Sequence, residues 1–139
     1  MLELTESELV DDPSQVMTVL SLVSGMGVRL SIDDFGTGWS SLANLTRLPI
    51  HQIKIDRTFV SRMLAEGDDA VIVRSIVDLG HNLGLDVVAE GVEDTATLAA
   101  LDGLGCDQAQ GNLLSPAVPA GELLAWLDSR TEELALHLA

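Results

Sequence analysis

The sequence predicts an α/β fold, with a parallel sheet of about five strands covered by helices. Three observations lead there. Strand-like and helix-like segments alternate along the 139 residues. Glycines stand where the helices should stop. Ionisable side chains gather at the C-terminal ends of the strand candidates, the end at which α/β barrels and open α/β sheets build their sites. Parallel neighbours cannot be joined by a tight hairpin. They need a crossover, usually helical, and the alternation supplies one each time.

The first strand is expected at Leu2–Glu6. Pro13–Ser24 reads as a helix, with Asp12 as cap, proline in its first turn and Gly25 at its end. Val28–Asp33 is the second strand; period two sets Ser31 and Asp33 opposite Leu30 and Ile32. A short helix is expected near Ser40–Leu45. In Gln52–Asp56, the third strand, Ile53 and Ile55 share one face and Gln52, Lys54 and Asp56 the other. The Asp68–Asp69 pair reads as a loop and cap for a helix over Asp69–Leu83, stopped by Gly84. Asp86–Glu90 is the fourth strand, Thr95–Leu104 the next helix, and Gly105 its stop. Cys106–Leu113 is the fifth strand, with Gln108 and Gln110 on one face. Ala120–Ser129 closes the series as a helix, followed by an amphipathic tail, Glu132–Ala139.

Hydrophobic residues make up 47% of the chain and aromatics only 3%, so the core must be aliphatic. The net charge of −15 excludes charge-driven binding to DNA, RNA or an anionic membrane. An anionic ligand would need metal ions to offset the carboxylates. Cys106 is the sole cysteine, so no intrachain disulfide can form, which fits a reducing, cytoplasmic setting. The sequence has no signal-peptide pattern and no apolar run of about 18 residues, so this chain holds no membrane segment; a longer parent protein could be anchored through other domains. His51, His81 and His137 lack metal-ligand spacing and read as surface or structural residues.

Three short segments carry chemistry: Leu2-Glu-Leu-Thr-Glu-Ser7, Asp33-Asp-Phe-Gly-Thr-Gly38 and Ala89-Glu-Gly-Val-Glu93. Adjacent carboxylates at Asp33 and Asp34 cannot face one side of a regular strand, but at a strand end both can approach neighbouring metals. Hard divalent cations such as Mg²⁺ or Mn²⁺ take oxygen ligands of this kind. Gly36 and Gly38 let the following loop turn tightly.

Those segments, with Trp39-Ser-Ser-Leu42, Leu48-Pro49, Lys54-Ile-Asp-Arg57 and Cys106-Asp-Gln-Ala-Gln-Gly111, resemble in order and spacing the motifs of the EAL-domain family of cyclic di-GMP phosphodiesterases. The resemblance spans residues 2–128. It implies a TIM-like (β/α) barrel that hydrolyses cyclic di-GMP to linear pGpG with two bound metals, Mg²⁺ or Mn²⁺. It further implies that Glu3 and Asp33 are metal ligands, that Asp34 bridges toward the second metal, and that Lys54 orients and polarises the attacking water. Glu90 would be the general base or a metal-site carboxylate. Glu6 would anchor the loop bearing Gly36 and Gly38, and Glu93 and Gln110 would support the site or the substrate.

Departures accompany the likeness. Asn112 stands where the family usually has an aromatic, Pro116 where it has a basic or polar residue, and Trp39 where it has tyrosine. The namesake Glu-Ala-Leu segment and an early-strand Asn ligand are not in this chain. A closed eight-stranded barrel needs about 200–250 residues. The chain therefore reads as a partial barrel: residues 1–129 the C-terminal portion of an EAL domain, residues 130–139 a tail. Alone it is expected to be weakly active or inactive. A non-catalytic cyclic di-GMP sensor or protein-interaction module is the alternative. Open strand edges lead to an expectation of self-association as a dimer.

Overall fold

Aliphatic, period-two segments separated by helical crossovers can satisfy their backbones only by lying side by side, and they do. A computed structural model describes residues 1–6, 13–38 and 45–129, with side chains omitted at 13–15. The elements are β1 (Leu2–Thr5), α1 (Pro13–Gly25), β2 (Leu30–Phe35), β3 (Gln52–Ile55), α2 (Arg57–Val60), α3 (Gly67–Asn82), β4 (Asp86–Ala89), α4 (Thr95–Gly103) and β5 (Gln108–Ala109). A 3₁₀ turn at Ala120–Glu122 leads into helix over 123–129. The strands form one sheet in the order β1-β2-β3-β4-β5, parallel at every pairing. The expectation of five parallel strands with covering helices holds. The sheet is open, and among the described residues β1 and β5 each pair on one side only.

The alternation read from the sequence sorts the two faces. Leu30, Ile32, Ile53, Ile55, Val87 and Ala89 are fully buried in the core, joined by Val73, Ile76 and Val77 of α3. Burying each such branched side chain contributes about 1.5–3 kcal/mol. α3 sits close to the sheet because Gly80 has no side chain: a Cβ there would lie 2.4 Å from Val87 Cγ2. The opposite face carries Glu3, Ser31, Asp33, Gln52 and Lys54, which leads toward the site.

Several boundaries differ from the sequence reading. β5 is Gln108–Ala109 rather than Cys106–Leu113. At its start Asp107 turns its carboxylate to the Val87 amide (2.8 Å), and at its end Gly111 is tucked against the Val92 backbone, which takes the chain off the ladder. β2 runs on through Phe35. α2 was not expected; Asp56 caps it by accepting from Thr58 N at 2.8 Å and from the Thr58 hydroxyl. α3 begins at Gly67, so Asp68 and Asp69 lie in its first turn, and Asp69 is buried with Arg62 Nε at 3.0 Å. Gly84 and Gly105 adopt positive φ at their helix stops, whereas after α1 that conformation falls to Gly27, two residues beyond Gly25. Most of the helix expected near Ser40–Leu45, Trp39, and the Glu132–Ala139 tail with His137 lie outside the described residues. No helix among the described residues is long and apolar enough to cross a membrane.

Candidate active site

The strand ends converge on one lysine. Lys54 projects from β3 on the polar face and is buried, with its side chain 6% exposed. Its ammonium stands 3.2 Å from Glu3 Oε2, 3.1 Å from Asp33 Oδ1 and 2.5 Å from Glu90 Oε1. Glu3 belongs to β1, Asp33 to β2, and Glu90 follows β4, so one cation on β3 ties carboxylates from three other units of the sheet together. Burial works against the charged ammonium, but the hydrogen bonds to Glu90, Asp33 and Glu3 outweigh it and hold its pKa above the ordinary lysine value.

Asp33 and Asp34 reach the site together because the strand breaks register. The β2–β3 pairing shifts between Ile32 and Phe35, and Asp34 takes φ 53°, the left-handed region. That conformation costs a non-glycine residue about 1–3 kcal/mol, and aspartate tolerates it better than most. The irregularity turns the Asp34 carboxylate toward Asp33 instead of the opposite face. Asp33, Asp34 and Glu90 then offer carboxylate oxygens all within 4.8 Å of one another. An all-oxygen donor set of this spacing fits a hard divalent cation.

Asp56 is the functional candidate that the sequence reading left without a role. It hydrogen-bonds Asp34. Burial, then that hydrogen bond, then the charges of Asp33, Asp56 and Glu90 push the Asp34 carboxyl above the usual carboxylate range. Burial acts the same way on Asp56, but hydrogen bonds from Thr58, the Asp34 carboxyl and the Arg57 charge outweigh it and hold Asp56 low. The two neighbouring carboxyls are therefore pushed in opposite directions, Asp34 up and Asp56 down. The signal was present: alternation along β3 sets Asp56 on the face of Gln52 and Lys54.

The loop after β2 is clamped from β1's end. Glu6 is 4% exposed, and its Oε2 accepts from Gly36 N at 3.1 Å and Gly38 N at 2.9 Å. Gly36 takes φ +103°, with Phe59 and Ile76 too close to leave a side chain room. A Cβ on Gly38 would meet the Glu6 carboxyl at 2.9 Å.

Of the residues singled out in the sequence, Asp33, Asp34 and Glu90 form one cluster, Glu3 joins through Lys54, and Glu6 reaches Gly36 and Gly38. Glu93 and Gln110 lie exposed on the adjoining loops, and their side chains are not among those brought together. The Gln110 backbone is bound instead, its carbonyl accepting from Val92 N at 3.0 Å. Asn112 and Pro116 are exposed. His81 pairs with Asp107 at 3.0 Å and His51 Nδ1 accepts from Leu30 N, structural roles as expected.

Comparison with known proteins points the same way. A family model described as the EAL domain matches residues 1–117. The bifunctional diguanylate cyclase/cyclic di-GMP phosphodiesterase MucR of Pseudomonas aeruginosa is 50% identical over 125 residues, 90% of this chain and 18% of MucR. A solved structure of the MucR phosphodiesterase in complex with c-di-GMP superposes with a TM-score of 0.85 at 48% identity, over 88% of this chain and 50% of that one. BlrP1 of Klebsiella pneumoniae, solved with manganese and cyclic di-GMP, gives 0.74 at 39% identity over 81% of this chain and 29% of its own. The chain thus spans half or less of these relatives.

Proposed function

This chain belongs to the EAL domain family, and from that premise we propose that it supplies the C-terminal part of a metal-dependent phosphodiesterase that hydrolyses cyclic di-GMP to linear pGpG. In this proposal residues 1–129 are the domain portion and 130–139 a tail. The observation that carries the reading is the Asp33–Asp34–Glu90 oxygen cluster beside the buried Lys54 ammonium. Glu3, Asp33 and Asp34, with Glu90 beside them, would hold Mg²⁺ or Mn²⁺. Bound divalent cations supply a lowered water pKa and neutralise charge developing on phosphorus.

This chain's own groups do the rest. Lys54 Nζ donates a hydrogen bond that orients the water, and Glu90 takes the water's proton. The water oxygen bonds to phosphorus as the ester bond to one ribose oxygen breaks; that oxygen takes up a proton from solvent, and the ring opens to the linear dinucleotide. Glu6 fixes the height of the Gly36–Gly38 loop over the carboxylates; Glu93 and Gln110 support the substrate from the neighbouring loops.

Mn²⁺ binding read by electron paramagnetic resonance tests the metal assignment. The chain is expected to bind Mn²⁺ weakly, and Asp33→Ala to weaken that further; equal binding by both would overturn it. Because the chain spans only half of the MucR phosphodiesterase structure it matches, little linear product is expected from it alone, and a robust rate would show that no further ligands are needed.

Glu6→Ala leaves the Gly36 and Gly38 amides to water and lets the loop drift. In the complete domain it should lower turnover about 10–100-fold, the usual penalty for losing a partner behind a metal site. Glu6→Gln keeps an accepting oxygen and should retain most of the rate. Equal loss in both variants would contradict the clamp.

Self-association belongs to the same proposal. β1 and β5 leave edges open, and Val19 and Leu22 on α1, with Met26 in the turn just after it, are 51%, 67% and 81% exposed. Sedimentation should show dimer growing with concentration; a monomer throughout would refute it.

A further inference from the structure

We propose that Ser31 and Gln52 form a buried water-binding site one row beneath the acidic cluster. Ser31 of β2 is fully buried, and its Oγ makes no hydrogen bond among the described residues. A hydroxyl taken out of water without a partner is costly, and native folds rarely leave one so. Its register neighbour across the sheet is Gln52 of β3, only 4% exposed, so the two side chains share a face. On the other side Ser31 pairs in register with Glu3. Adjacent strands lie about 4.8 Å apart. Across that separation a single molecule able to donate and accept at once would reach both side chains.

The chemistry selects water. A serine hydroxyl and a carboxamide each offer both a donor and an acceptor, which suits a neutral ligand of the same kind. A cation would meet the Lys54 ammonium two residues above Gln52, and an anion would meet the Glu3 and Asp33 carboxylates. The water ties β2 to β3 directly below Asp33 and Lys54, whose contact is 3.1 Å. Its value to catalysis rests on the function proposed above; the site itself does not.

The test uses the metal-free chain without nucleotide, so its failure leaves the hydrolase reading untouched. Urea unfolding midpoints are compared for Ser31→Ala, Gln52→Met and the double variant. Ser31→Ala should lower the midpoint, and its effect should shrink to less than about half in the Gln52→Met background, as for two groups sharing one ligand. A midpoint raised by Ser31→Ala would mean relief of a lone hydroxyl, and additive effects would mean no shared ligand; either overturns the proposal. A high-resolution crystal structure gives a second reading: ordered density within hydrogen-bond distance of Ser31 Oγ and the Gln52 amide supports it, and its absence contradicts it.

Discussion

Lys54→Met is expected to cost the metal-free chain about 1–3 kcal/mol at neutral pH and the complete domain at least about 100-fold in turnover. Methionine keeps the stem but removes the cation that Glu3, Asp33 and Glu90 share. Breaking a fully buried pair costs about 3–5 kcal/mol. The carboxylates here retain water access, with side chains 48%, 25% and 18% exposed, which argues for the smaller figure. The pH dependence has a definite sign. The folded-state pKa of Lys54 lies above its ordinary value, so its contribution is whole below about 10.4 and is lost as pH climbs through the folded value. Urea melts of both proteins should therefore differ by a constant amount through the neutral range and converge only in strong base. Equal stability at pH 7 would show that the lysine does not hold the strand ends together.

Gly111→Ala should be at least as damaging to stability, at about 3 kcal/mol, through a backbone clash. A Cβ there would stand 2.2 Å from Val92 O and 2.3 Å from Val92 N. These are backbone atoms and cannot swing aside as a side chain would. Val92 is fully buried and bonded on both sides, donating to Gln110 O at 3.0 Å and accepting from Leu113 N at 3.1 Å. The clash must therefore separate the loop after β5 from the loop after β4. Hydrogen exchange at Val92 and Leu113 should accelerate along with the fall in the urea midpoint. An unchanged midpoint would mean that the two loops are not docked as described.

How much could be read from the sequence depends on the range of the cause. Period-two patterns located Ile53 and Ile55 against the helices and Lys54 on the polar face, because side-chain alternation is a property of the strand itself. Gly84 and Gly105 were found because a left-handed helix stop is a local demand. α2 is not legible although its cap is local: Asp56 reads as the end of a strand, but β3 stops at Ile55 and Asp56 caps the helix instead. β5 was overextended because its ends are set by Asp107 reaching Val87 and by Gly111 meeting Val92, contacts between units that no local pattern records. The site residues come from motif resemblance, and the geometry adds what motifs do not carry: the register shift that turns Asp34, the Asp34–Asp56 hydrogen bond, and Lys54 as the common partner of Glu3, Asp33 and Glu90.

The most direct test of the central claim is a graft. This chain would replace the matching half of the MucR phosphodiesterase of known structure, which it resembles at 48% identity, and the chimaera would be incubated with cyclic di-GMP and Mn²⁺ while linear product is followed by chromatography. Product that disappears with Asp33→Ala is the predicted result. A folded chimaera that binds the cyclic dinucleotide and releases no linear product would contradict the account and leave this chain a binding module.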